Sequence, residues 1–234
     1  MYYKLSNIAE RTQLESNFEV KFRFPRLYTK SYVINGMNEE LLTVITQNTP
    51  YVAKPAIWGI LPEKYEDDWR FFQEITNTLN VNVNDISSQK WWYEALLRRR
   101  CLIMVTGFFT NYIQNGVIYP YYVYLPQNEP FLLAGIYNKL EDGFITCSLL
   151  TSPANNQIKK IQHLSDSMPV YIPKNLSKEW LSPSKTDMNI KKWIDYLPPL
   201  TFKAHPIAKE FFKNNISYDS MLEPVFYDHI PKRT

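Results

Sequence analysis

RRRCLIMVTGFFTNY, residues 98–112, is the stretch on which the fold turns. From Cys101 to Phe109 it is apolar except at Thr106 and Gly107. A run of this length, rich in branched and aromatic side chains, reads as a strand buried on both faces, here ending at Gly107. Three comparable runs follow: YPYYVYL (119–125), FLLAGIY (131–137) and FITCSLL (144–150), the last entered through the turn pair Asp142-Gly143. The gaps between them are too short for crossover helices, so the strands are expected to pair antiparallel, with residues 101–109 beside both 119–125 and 131–137.

Working outward, LLTVIT (41–46) and Tyr51 to Leu61 read as strands, the second bent around Pro55 and Trp58-Gly59. MPVYI (168–172) is a further short strand. Helices are expected over Ile8 to Phe18, with Ser6 or Asn7 as cap and Ile8, Leu14 and Phe18 sharing a buried stripe, and over Lys90 to Arg99. Shorter ones fall at 155–163, 176–181 and 189–196. Residues 65–79 pass from loop into helix, and the tail from Thr201 to Pro231 is extended and irregular. No repeat, low-complexity block or linker divides residues 1–234. The reading is a single α+β domain built on a curved, mostly antiparallel sheet or barrel with peripheral helices.

The 234 residues suffice for a sizeable core, and a charged fraction of 21% against 45% hydrophobic is that of a globular protein. Net charge is +3, a modest basic excess that matters for phosphates only if gathered on one face. Cys101 and Cys147 lie in apolar runs and read as buried thiols, with no Cys/His cluster for zinc, so no metal is expected. The N-terminus lacks the basic-then-apolar pattern of a secretory signal, and the apolar runs fall short of the ~20 residues of a membrane span. A cytoplasmic protein without a membrane partner is expected.

The order of short motifs resembles that of the SOS-response-associated peptidase family, which caps abasic sites in single-stranded DNA. RRRCLIMVTGFFTNY resembles the family's arginine-cysteine strand running into a Gly-Phe-Tyr-Glu-Trp corner. YPYYVY, FLLAGIY, FITCSLLTSPAN and MPVYI follow in the family's order, with EWL (179–181) soon after. Upstream, IWGILP (57–62) resembles its Trp-Gly-Leu-Ile-Pro segment; downstream, His205-Pro206 and LEPV (222–225) resemble its tail. The matches run from about residue 3 to 227.

The resemblance implies chemistry through a cysteine at position 2. With the initiator methionine removed, amine and thiol on one residue close a thiazolidine on the lesion's aldehyde, supported by an asparagine, a glutamate and a histidine. This chain departs from that pattern. Position 2 is Tyr2, a phenol that is a poor nucleophile at neutral pH and cannot close the ring. Tyrosine is bulky enough that Met1 is expected to remain. The glutamate aligns with Thr110, which carries no carboxylate. The asparagine-alanine-arginine motif aligns with Asn84-Asp85-Ile86, keeping the asparagine and losing the arginine at Ile86; Asn84 also reads as an ordinary turn residue. The histidine aligns with Gln162 or, one residue on, with His163, which also reads as a surface histidine.

Three functions stay open. The first is a catalytically degenerate member that still binds single-stranded DNA, as a monomer and without a cofactor. Trp58, Trp91 and Trp92 would stack on bases, and Arg98, Arg99 and Arg100 would hold phosphates. Trp58-Gly59 reads more readily as a packing pair at a bend, and the three arginines also read as a solvated helix end. The second is altered abasic-site chemistry, an imine formed by the Met1 amine. The third is a protein-interaction module in which the aromatic tail docks a partner or else wraps the sheet. No triad for general proteolysis is visible.

Overall fold

A computed structural model describes residues 2–85, 90–183, 190–213 and 218–231. Its first half contains β1 (Lys4–Asn7), α1 (Arg11–Phe18), β2 (Lys21–Phe22), β3 (Ser31–Asn35), β4 (Leu41–Thr46), β5 (Thr49–Trp58), α2 (Trp69–Ile75), β6 (Asn80–Asn82) and α3 (Tyr93–Arg98). Next come β7 (Arg100–Val105), β8 (Gly107–Gln114), β9 (Val117–Tyr124), β10 (Phe131–Lys139) and β11 (Ile145–Pro153). The remainder holds α4 (Asn156–Lys159), β12 (Ser167–Pro169), β13 (Tyr171–Ile172), α5 (Ser177–Trp180), α6 (Ile190–Asp195) and β14 (Lys203–Pro206).

The 98–112 stretch forms two strands in two sheets rather than one strand. β7 pairs with β10 and β4, whereas β8 pairs with β9 and β1. The chain changes sheet at Thr106, whose N–H donates to the Ser6 carbonyl at 2.8 Å. Gly107 is required there, because a Cβ would lie 2.2 Å from the Tyr122 ring. Both faces of β7 are covered, as its apolar run implies. Cys101, Ile103 and Val105 enter one core, and Leu102 and Met104 enter the other.

β11, β10, β7, β4 and β5 follow one another edge to edge, and a parallel contact of β11 with β5 closes the ring at Thr146↔Ile57 and Cys147↔Trp58. The first core fills this barrel and the space toward the second sheet, of order β14-β9-β8-β1-β3. The second core lies where α1, α3, α5 and α6 cover the barrel's outside. The pairing is mostly antiparallel, with parallel contacts at β11–β5, β11–β6 and β2–β5.

Ser6 and Asn7 do not cap α1: they belong to β1, and the helix begins at Arg11 after Glu10, which makes no side-chain cap bond. The expected 155–163 helix shrinks to one turn, capped by the Asn155 side chain accepting from the Ile158 N–H at 2.9 Å. The tail is core. Phe202, Ala204, Ile207, Phe211, Met221, Leu222 and Ile230 are buried, and β14 extends the second sheet beside β9.

Candidate functional site

Residue 2 is buried in the first core, ahead of β1 of the second sheet. Its main chain is held by one side-chain amide. The Tyr2 N–H donates to Asn80 Oδ1 at 2.9 Å, and Asn80 Nδ2 donates to the Tyr2 carbonyl at 2.5 Å. Asn80 is placed by β6, which runs parallel to β11 with Asn80 opposite Leu149. The phenol turns inward and is 2% exposed. Its ring meets Phe108 edge-on at 5.8 Å, and its hydroxyl donates to the Ser167 carbonyl at 2.8 Å. Burial pushes the Tyr2 hydroxyl far above the ordinary phenol range, and a hydrogen bond with the Gln162 side chain only partly opposes that. A neutral, buried phenol that already donates its proton to a carbonyl is a poor nucleophile.

Thr110 lies on the same face of β8 as Phe108, two residues along. It is fully buried, and its hydroxyl has no hydrogen-bond partner among the described residues. Gln162, not His163, faces residue 2. The Gln162 Oε1 accepts from the Asn111 and Leu164 N–H groups, both at 3.3 Å. His163 is exposed, its ring 4.5 Å from Tyr112 and its Nδ1 accepting from the Ile113 N–H at 3.1 Å.

Asn84 is not at residue 2. It is exposed on a single 3-10 turn, its N–H donating to Asn82 Oδ1 at 2.9 Å. The motif Asn-Val-Asn-Val-Asn offers an asparagine at every second position from 80 to 84, and the sequence pattern alone does not rank them. Asn80 and Asn82 both lie in the β6–β11 pairing, and Asn80 is the one that bonds the Tyr2 main chain. Ile86 and Met1 lie outside the described residues.

Two of the expected DNA contacts are buried. Trp58 is 0% exposed inside the barrel, its indole N–H donating to the Leu79 carbonyl at 2.9 Å. Arg100 is also 0% exposed, and its guanidinium donates to the carbonyls of Leu96, Leu97, Trp180 and Ser182 at 2.7 to 3.2 Å. These carbonyls come from the ends of α3 and α5, so Arg100 closes two helix C-termini rather than meeting phosphate. Arg99 pairs with Glu63 at 3.1 Å and donates to Asn138. Arg98 is exposed and pairs with Glu94 at 2.9 Å. Trp92 packs half-buried, and Trp91 is 38% exposed beside Phe72 and Trp92.

Both cysteines are fully buried, and desolvation raises both thiols well above the ordinary range, so neither serves as a reactive group. Among the described residues, no group of three or more His, Cys, Asp or Glu side chains suits a metal, and no helix is long and apolar enough to cross a membrane.

The structure is thus a single α+β domain, barrel and second sheet together, in which Tyr2 is buried and held through its main chain by the Asn80 amide. The chain belongs to the SOS response associated peptidase (SRAP) family, whose model matches residues 1–214. It is 25% identical over 165 residues to the abasic site processing protein YoqW of Bacillus subtilis, covering 68% of this chain and 70% of that one. It is likewise 25% identical over 175 residues to YoaM, an abasic site processing protein of the same organism, covering 72% and 74%. Its fold matches that of a protein from Bacteroides thetaiotaomicron with a TM-score of 0.82 at 19% identity, covering 96% of this chain and 100% of the other.

Proposed function

We propose that this chain is a silent member of its family: a monomer, without a cofactor, that binds single-stranded DNA, including DNA bearing abasic sites, and does not capture the lesion covalently. The observation that carries the reading is the state of Tyr2. The family resemblance calls for a cysteine there, and the position holds a buried phenol whose ring packs on Phe108 and whose hydroxyl is spent on Ser167. The rest of the site departs in the same direction. Thr110 stands where the glutamate is expected, and Gln162 takes the place beside residue 2 expected of the histidine. With Asn80 taken as the motif's asparagine, its arginine falls at Asn82. A hydroxyl and an amide hydrogen-bond but carry no charge and move no proton near neutral pH. What the resemblance leaves intact is a main-chain holder, Asn80, and a fold. Base stacking falls to Trp91, and phosphate contact to Arg98 and Arg99.

The test is a pair of assays. Single-stranded oligonucleotides are titrated by fluorescence anisotropy at two salt concentrations, and affinity is expected to fall as salt rises through counterion release. Absence of binding, or a flat response to salt, overturns the DNA-binding half. An abasic oligonucleotide is then incubated with wild-type protein and with Tyr2→Cys, with and without borohydride. No wild-type adduct under either condition is expected. A borohydride-dependent wild-type adduct would replace this reading with imine chemistry, and a borohydride-independent one would mean that covalent capture survives. A Tyr2→Cys adduct would place the loss of activity at that one residue.

A further inference from the structure

At one end of the barrel, with Tyr2 not among its lining residues, the start of β4, the end of β5, the β10–β11 hairpin and the loop entering α2 enclose a cleft of about 740 Å³. Its floor is apolar. Leu41, Ile57 and Tyr65 line it, and Phe144 stands at its lip 63% exposed, with Leu41 half-exposed. Leu41 faces Ile57 across the β4–β5 ladder, so the floor is rigid sheet rather than loop. The hairpin tip is fixed too. Gly143 takes a φ of 93°, Asp142 Oδ1 accepts from the Phe144 N–H at 2.9 Å, and the Leu140 N–H donates to the Phe144 carbonyl at 2.8 Å. A phenylalanine is thus held out in water by well-formed backbone bonds.

The rim is entirely acidic. Glu39, Glu66, Asp67, Asp68, Glu141 and Asp142 line the cleft, and no lysine, arginine or histidine does. The chain as a whole is net positive, at +3, so six carboxylates around one apolar floor are set against the molecule's own charge. The field is felt locally: besides desolvation, Asp67 and Asp68 raise the Tyr65 hydroxyl above its ordinary value. A nucleic acid is repelled here, and a small apolar ligand would not need the rim. Exposed apolar surface ringed by one sign of charge fits a segment that is apolar on one side and cationic on the other.

We propose that this cleft is a docking site for a basic amphipathic peptide segment of a partner protein, with its apolar side chains on Leu41, Ile57, Tyr65 and Phe144 and its lysines or arginines on the acidic rim. The site is independent of residue 2 and of the DNA reading.

The probe is a fluorescein-labelled 14-residue peptide of alternating leucine and lysine pattern at helical spacing, titrated by anisotropy into the full chain. Two control peptides replace leucine with serine, or lysine with glutamate. Binding of the leucine–lysine peptide is expected, with each control at least tenfold weaker. The variant Glu66→Lys/Asp67→Lys/Glu141→Lys and, separately, Phe144→Ser are expected to weaken it at least tenfold, with melting temperatures close to wild type because these side chains are exposed. Equal binding of the serine–lysine peptide would reduce the cleft to nonspecific charge and overturn the proposal. So would undiminished binding by well-folded forms of either variant, or no binding by wild type. If the charge-reversed variant fails to fold, Phe144→Ser alone decides.

Discussion

Arg100 shows how one residue can be read by type and still be misplaced. An arginine in an RRR run reads as solvated, yet Arg100 is drawn inside, where carbonyls at the ends of two helices accept from its guanidinium. Replacing it with leucine strands those carbonyls, and a loss of at least ~3 kcal/mol is expected by urea denaturation. Arg98→Ala removes only an exposed pair with Glu94, so its effect on stability is expected to stay within about 1 kcal/mol. If the DNA reading holds, Arg98→Ala weakens the oligonucleotide affinity. Trp91 makes the sharper test there. Loss of one stacking platform is worth roughly 1–3 kcal/mol, and its partial exposure puts Trp91→Ala near the low end, about fivefold in affinity. At Tyr2, Phe removes the hydroxyl but keeps the ring on Phe108. Tyr2→Phe is therefore expected to cost about 1–2 kcal/mol, measured in the same way, since the Ser167 carbonyl loses its donor.

At the scale of elements, Gly107 is where two sheets are joined. Gly107→Ala drives a methyl into the Tyr122 ring, and a cost of ~1–3 kcal/mol or more is expected as a drop in thermal midpoint. The strands themselves were legible. Residues 41–46 and 131–137 lie wholly in strands, and 119–125 and 144–150 do so except for Leu125 and Phe144 at their ends, because buried runs and the Asp142-Gly143 turn carry their own signals. The end of the strand that starts at Cys101 was read, at Gly107, within two residues of where β7 stops, but the change of sheet was not: an apolar run shows that a segment is buried, not that it leaves one ladder for another. Nor was β1, since Ser6 and Asn7 look like caps until β3 and β8 arrive from elsewhere in the chain to pair with them. The site followed the same division. Motif order named position 2 and Thr110 and left Gln162 and His163 open, whereas Asn80 comes to bond Tyr2 only through the parallel contact of β6 with β11, a relation between segments about 70 residues apart.

Across the whole molecule, tyrosine burial sets an alkaline limit. Tyr2, Tyr28, Tyr121 and Tyr122 all have hydroxyls pushed upward, mainly by desolvation, Tyr122 to about 12. Their folded values lie above the unfolded value near 10, so the stability tied to the neutral form is complete below about pH 10 and is lost as pH rises through the folded values. Phenolate absorbance near 295 nm is expected to rise in two phases. Exposed tyrosines titrate first, and the buried set titrates together with loss of near-ultraviolet circular dichroism. A single smooth titration with the fold intact would contradict this burial.

The parallel contact between β11 and β5 rests on two residue pairs, far fewer than the ladders on either side of it. That makes it the natural zip of the barrel. Parted there, the ring becomes a ribbon with two raw borders of unanswered amides and carbonyls, the form in which one sheet recruits another copy. Slow self-association during storage or heating would start at this join, while the far better knit β7–β10 side stays shut.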